Sequence, residues 1–519
     1  MGRPGREYSL SVVRGRAAAI VQVAMKKILA YLGIFFAGSI GPLIFLFLEK
    51  KNGLWGYPLD DAWIHQTYAR SLADGLGWSY AGAPLSAGST SPLWTFLQIP
   101  SFWLHLPTIA WGYGLGIFLL SLNAILLMLW VRKLQVKQYF IVLIFALGEW
   151  HLVWAGLSGM ETLLFCCWVS LMIYLFFPLT LPPDGSAVPA GSLFLMGIIS
   201  GAGIWIRPEA LLLLLYICGS IMIQLYTSMK QKLWLFFLGC FLPTVLYFWF
   251  NFGFDGRLFP NTFYVKSAEY SIWTTQNIFL RFFQSWVPLL AGPVVALIPF
   301  LVAGVILLIR YRKLPVVLPF AWVLSHVLLY AVRLPATYQH GRYFLPVLPI
   351  LIGYSVYGYF ALKEKALQWF VPRVAIRAVW GSALILTGIF LFIGAAQFTT
   401  DVRFIQTNMV EMSLWIRENT PAGSIIAAHD IGALGFWSNR RIVDLGGVTD
   451  LDALALLSGK TDLQNYLHIK QTDLLMTFED TYPHNLEGCI PLHAANEISP
   501  LLTERMLLFD WRLGCSNQR

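Results

Sequence analysis

Charge is scarce in this sequence. Asp, Glu, Lys and Arg make up 12% of its 519 residues, against about 25% in a soluble domain. That shortage argues against a chain folded wholly in water. Cysteine is scarce too, and six residues spread over this length do not make a disulfide scaffold. Cys166, Cys167, Cys218 and Cys240 stand in apolar runs, where a thiol is simply a small hydrophobe. No P-loop and no dinucleotide fingerprint appears, so nucleotide chemistry has no support in the sequence. Internal repeats are absent, and the only biased stretch is the short loop 182–186. Aromatic residues are plentiful: 21 Trp, 22 Tyr and 37 Phe exclude a disordered chain.

Apolar residues reach 57% and gather in runs of about 20, the length that crosses the hydrocarbon of a bilayer as a helix. Eleven spans are expected, at about 28–48, 109–131, 138–156, 161–178, 192–208, 209–229, 233–252, 287–309, 316–334, 343–361 and 377–398. Segment 92–106 is apolar but too short, and reads as a half-helix or interfacial helix. Of 36 basic residues 9 fall in 399–519, but 15 of 27 acidic residues do. The chain is thus a basic membrane part with an acidic tail, and topology explains the basic excess better than nucleic acid does. With the N-terminus in the cytoplasm, 18 of the remaining 27 basic residues fall in cytoplasmic segments. An odd number of spans then puts 399–519 outside. Met25-Lys26-Lys27 before the first run resembles a signal peptide without a small-residue cleavage site, so an uncleaved span is expected, with Met25 an alternative start. Residue 6 is Arg, which argues against myristoylation.

The expected organisation is a cytoplasmic segment 1–27, a membrane domain 28–398 with an outer loop 49–108, and an extracytoplasmic α/β domain 399–519. In the last, 412–417 reads as helix, and 424–428, 441–445 and 473–478 as strands. Cys489 and Cys515 are candidates for a disulfide on the oxidising side.

Unusual polar sequence collects in loops that this topology puts on one face: Asp60-Asp61 to Tyr68-Ala69-Arg70, Thr90 to Trp94, Ser158 to Glu161, Arg207-Pro208-Glu209, Pro260 to Lys266, and His340-Gly341-Arg342-Tyr343. Ionisable groups at membrane depth are costly and mark sites.

These residues resemble the GT-C membrane glycosyltransferases, in particular the bacterial subgroup that includes terminal arabinofuranosyltransferases. The acidic pair Asp60-Asp61 before Tyr68-Ala69-Arg70, Thr90-Ser91-Pro92-Leu93-Trp94, Ser158-Gly159-Met160-Glu161-Thr162, Arg207-Pro208-Glu209, Pro260-Asn261-Thr262-Phe263-Tyr264-Val265-Lys266 and Arg342-Tyr343 follow that family's motifs in order. Ala87-Gly88-Ser89 departs from it, where a Glu-Gly-Tyr type of sequence is expected. The resemblance implies a helical membrane bundle of GT-C type and a small outer domain that covers the site. It also implies a polyprenyl-phosphate sugar as donor, with a glycan, lipid or protein as acceptor.

Phosphate is a stable leaving group, so the reaction needs a base for the acceptor hydroxyl and donors for the growing phosphate charge. Asp60 is the expected base and Asp61 its support, because adjacent carboxylates raise each other's proton affinity. Helix N-capping is the plainer alternative for both. Arg342, Arg207, Lys266 and His340 are the candidates for the phosphate, against snorkelling to the interface. His65, Glu161, Glu209, Asn261, Tyr343 and Trp94 are the candidates for sugar or acceptor, and Trp63, Trp78 and Tyr264 can stack on a sugar or sit in an aromatic belt. His429 and Asp430 resemble a family turn in the outer domain. No dedicated metal motif is present, and a divalent cation near Asp60, Asp61 and His65 stays an open reading. A transporter or flippase of lipid-linked sugars would distribute charge through the bundle. A non-catalytic sugar-binding scaffold would not need the paired aspartates.

Overall fold

The computed structural model describes residues 5–177, 189–229, 232–270, 272–310, 314–335, 337–366, 370–496 and 505–512. Cys515, one half of the expected disulfide, lies outside them.

Long apolar helices form the body of the protein, as the recurrent runs require. Six are long and apolar enough to cross a membrane: Ala24–Lys51, Thr108–Lys133, Leu233–Asp255, Val316–Arg333, Gln339–Glu364 and Phe370–Asn419. Two more units pass only as bent pairs, Tyr139–Gly148 with Trp150–Leu157 at 58°, and Ile278–Leu290 with Val294–Arg310 at 116°. Thr162–Phe176, Ala190–Trp205 and Ala210–Met222 are shorter apolar helices. The expected span 138–156 is therefore broken at Glu149, whose backbone is extended there. The expected span 287–309 begins at Val294, because Val287–Leu290 belongs to the other arm of the sharp bend. Segment 92–106 forms the short helix Pro92–Trp103.

Small residues let helices approach closely, the usual packing of helices in lipid. Gly304 of Val294–Arg310 faces Gly358 of Leu348–Ala366, where an added Cβ would meet the Gly358 Cα at 3.3 Å.

The helix Phe370–Ile405 runs past residue 398 and continues through a wider turn, Gln406–Val410, into Glu411–Asn419. A five-stranded sheet follows: β1 (Ile425–Ala428), β2 (Arg441–Asp444), β3 (Leu474–Phe478), β4 (His493–Ala494) and β5 (Met506–Asp510), in the order β2-β1-β3-β5-β4. β1 pairs in parallel with β2 and β3, and β5 is antiparallel to β3 and β4. Central strands buried on both faces read as continuous apolar runs, and for that reason β1 and β3 stand where expected; β2, at the sheet edge, also falls within its expected range. β5 was not expected, although Met506-Leu507-Leu508-Phe509 carries the same signal and all four are buried.

This unit is fastened to the first loop. The helix Asp61–Ala73 lies along the six-residue helix Gly432–Trp437. Asp60 accepts hydrogen bonds from the backbone N–H of Gly432 (2.6 Å) and Ala433 (2.7 Å). Arg70 donates to the carbonyls of Phe436 (2.9 Å) and Gly435 (3.2 Å). A carboxyl group thus satisfies orphan donors at one helix end and a guanidinium the orphan acceptors at the other. Gly432 allows the approach, since a Cβ there would collide with the Asp60 carbonyl. Trp63 completes the joint against Phe436 and Trp437, ring centroids 4.9 and 5.3 Å away.

Candidate active site

Two cavities meet at the start of the helix Asp61–Ala73, and Asp61 lines both. The first, of about 380 Å³, holds Asp61, His65, Thr90, Glu161, Arg207, Glu209, Lys266, Arg342 and Tyr343, brought from six separate stretches of chain. Six of the expected motifs therefore converge on one space.

Arg342 is its centre. It is only 3% exposed. Its Nη2 donates to Asp61 (2.5 Å) and to the Tyr343 hydroxyl (3.0 Å). Its Nε and Nη1 have no acceptor among the described residues. A buried donor left unmade costs about 1–3 kcal/mol, so this guanidinium is poised for an anion. Lys266 donates to the same Tyr343 hydroxyl at 2.9 Å. The Tyr343 ring lies under three cations, with Arg342, Arg207 and Lys266 at 5.0, 5.1 and 5.6 Å from its centroid.

Arg207 is held differently. Its Nη1 bonds Glu161 at 2.9 Å and its Nε bonds Glu209 at 2.7 Å. Tyr330 donates to Glu209 from the facing helix. His65, expected on the same helical face as Asp61, has its Nε2 3.4 Å from Glu161, and its Nδ1 is within 3.0 Å of Thr95. Tyr330, Arg333 and His326, which bonds the Tyr343 carbonyl at 3.0 Å, were not anticipated. A polar side chain within an apolar span was the available signal.

The second cavity, of about 920 Å³, opens on the other side of Asp61 and reaches the C-terminal unit through Asp430 and Phe478. Asp60 lines this cavity and not the first. Both its oxygens are engaged by Gly432 and Ala433, so it joins the two parts of the chain rather than facing the cations. Burial, and then the charge of Asp430, push its carboxyl up to about 7. Burial also acts on Asp61, but Arg342 and Lys266 outweigh it and hold that carboxyl well below the usual range.

Three expected ligands stand apart. His340 is not with the cations; it bonds Asp401 at 2.7 Å in the second cavity, between Trp150 and Trp154. Trp94 is buried and lines neither cavity, its indole donating to the Gly159 carbonyl at 2.8 Å. Asn261 is fully buried just behind the wall formed by Pro260 and Thr262, its amide unpaired among the described residues. Trp63 and Trp78 are buried in packing, and Tyr264 stacks under Arg257 at 4.7 Å. His429 lies 3.6 Å from Asp430 and 3.9 Å from Glu269. No group of three or more His, Cys, Asp or Glu able to hold a metal occurs among the described residues. Asp60 and Asp61 face different partners and do not form one with His65.

Residues 397–506 match a domain of unknown function, DUF8728. No curated protein matches the chain in sequence. In fold the chain is similar to ArnT from Cupriavidus metallidurans bound to undecaprenyl phosphate, at 13% identity and TM-score 0.59, over 94% of this chain and 98% of that one. It is also similar to the oligosaccharyltransferase of Archaeoglobus fulgidus in the apo form, at 11% identity and TM-score 0.52, over 86% and 69% of the two chains. The archaeal oligosaccharyltransferase AglB from Archaeoglobus fulgidus, in complex with an inhibitory peptide and a dolichol-phosphate, matches at 12% identity and TM-score 0.51, over 87% and 69%. The fold is that of the GT-C membrane proteins.

Proposed function

We propose that the chain is an inverting glycosyltransferase, moving a sugar from a polyprenyl-phosphate carrier to an acceptor hydroxyl at the extracytoplasmic end of the bundle. The observation that carries this reading is the first cavity. Its lining combines the buried, half-satisfied Arg342 and Lys266 with leucines of two apolar helices, among them Leu215, which is 69% exposed. A phosphate seated on the cations would leave its lipid tail along those leucines, inside the bilayer. The outward facing of the site rests on the distribution of Lys and Arg.

Asp61 is the base in this reading, since it alone of the pair borders both cavities. The acceptor oxygen attacks the anomeric carbon from the second cavity. The bond from that carbon to the phosphate oxygen breaks, its electrons leave with the polyprenyl phosphate, and the acceptor proton passes to Asp61. Arg342 and Lys266 take up the charge that grows on the phosphate. Before the donor arrives Asp61 is paired with Arg342 and is a weak base; a phosphate competing for Arg342 raises its proton affinity when the proton must move. Arg207, fixed by Glu161 and Glu209, shapes the wall and adds positive potential.

The test is binding and transfer by the full chain in lipid nanodiscs. Undecaprenyl phosphate should bind, and Arg342→Gln should weaken it. Binding indifferent to Arg342 would sink the donor assignment, and full transfer by Asp61→Asn would sink the base.

A further inference from the structure

A polyprenyl-phosphate sugar has three parts, and the first cavity offers three kinds of lining. Arg342 and Lys266 suit the phosphate, and the leucines suit the lipid tail. The third kind is small and uncharged: Gly88, Ser89, Thr90 and Thr262, with Val448 from the C-terminal unit. Among the described residues Val448 is the one member of 399–519 that lines this cavity. Three segments are tied together there. The Asn261 N–H donates to the Ala87 carbonyl at 3.0 Å. A Cβ on Gly88 would come within 2.9 Å of the Val448 carbonyl, and one on Gly447 would collide with Val265, the neighbour of Lys266. Gly88 and Ser89 also belong to the stretch that departs from the expected motifs. The turn that presents Val448 is itself pinned. Asp444, 1% exposed, accepts from the N–H of Gly447 (3.0 Å) and Thr449 (2.5 Å) and from the Thr449 hydroxyl (3.0 Å), the usual way an Asp side chain fixes a turn. Gly447 takes φ of 72°, which glycine adopts at no steric cost. Thr262, buried beside this wall, has a hydroxyl without a partner among the described residues.

We infer that Val448 is a specificity-determining residue: supplied to the donor cavity by the C-terminal unit, it sets the largest sugar that the polyprenyl phosphate can carry. The inference rests on the transfer reading above and adds how that site selects its donor. The sugar is bonded directly to the phosphate, so it lies beside Arg342 and Lys266. The leucines are taken by the tail, and Asp61 borders the second cavity. What remains next to Lys266 is the lining of Gly88, Thr262 and Val448. Gly88 adds no side chain, so the bulk at that point is the Val448 isopropyl group. A β-branched side chain is stiff, and the bonds to Asp444 keep its backbone from stepping back. A ring substituent that overfills this space therefore meets a wall that does not yield, and overpacking is costly. The free hydroxyl of Thr262 offers a hydrogen bond to a sugar that does fit.

Equilibrium binding to the full chain in lipid nanodiscs tests this. The probes are undecaprenyl phosphate and its arabinofuranosyl, mannosyl and N-acetylglucosaminyl esters, graded in size. The wild type should hold esters up to one size and bind the next about tenfold more weakly or worse. Val448→Ala should recover about tenfold for the first excluded ester. Val448→Phe should weaken the largest accepted ester by a similar factor. Neither change should alter the binding of undecaprenyl phosphate itself, which uses the cations and leucines and not this wall. That titration also reports that each variant is folded. A wild type that binds no ester, or binds all of them alike, overturns the inference. So does a size limit that both variants leave in place, or a Val448→Phe that weakens the plain phosphate as much as its esters. Failure of the transfer reading looks different: undecaprenyl phosphate then does not bind the wild type, or binds without regard to Arg342→Gln.

Discussion

The two cavities share one residue, Asp61, and almost nothing else. The smaller is rich in Arg and Lys, and leucines of two apolar helices share its lining. The larger is acidic and aromatic and is closed in part by the C-terminal unit. Within the smaller, Glu161 and Glu209 are paired with Arg207, and Asp61 with Arg342. The difference also explains why the paired aspartates are not equivalent. Successive residues of a helix point about 100° apart, so neighbours at its start face different spaces. Asp61 turns to Arg342, and Asp60 turns to the backbone of Gly432 and Ala433.

The sharpest break of this comparison is Asp61→Asn. Transfer should fall about 10²–10⁴-fold, the usual worth of a positioned base. Binding of undecaprenyl phosphate should persist or tighten, because Arg342 loses a competing carboxylate. If Asp60→Asn shows that pattern instead, the roles are exchanged. Next in size is Arg342→Gln, with kcat/KM down about 10²–10³-fold, as for the loss of one donor to a growing oxyanion. Arg207→Gln should act mainly on stability. It strands Glu161 and Glu209 without their shared cation, and breaking such a buried pair costs about 3–5 kcal/mol. A thermal melt of each variant beside its kinetics separates the two arginines.

The smallest effect concerns Asp60 and pH. Its carboxyl is raised to about 7 by burial and by the charge of Asp430. A raised carboxyl favours the folded state most while protonated. This contribution is present at low pH and is lost as pH rises from the ordinary carboxylate range through about 7. Asp60→Asn lacks the titration. The wild type should therefore lose melting temperature relative to the variant between about pH 4 and 7. A constant difference across that range would show that Asp60 does not titrate in the joint.

Sequence alone determined the membrane class, because a helix must bury about 20 apolar residues to cross lipid and that need is written locally. It marked β1 and β3 because strands buried on both faces are continuous apolar runs. The motifs around Asp61, Glu161, Arg207, Lys266 and Arg342 were also legible, as ionisable groups where a bilayer makes them expensive. Direction was not. Trp94 resembled a sugar platform, yet its indole is consumed by the Gly159 carbonyl in the core. His340 sits two residues from Arg342 but pairs with Asp401, 61 residues away in sequence. Asp60 was expected to take the proton, and its oxygens are held by a unit more than 370 residues away. Residue type and local period fix which groups must find partners. Which partner each finds depends on contacts between distant segments, and only the packed tertiary structure decides those.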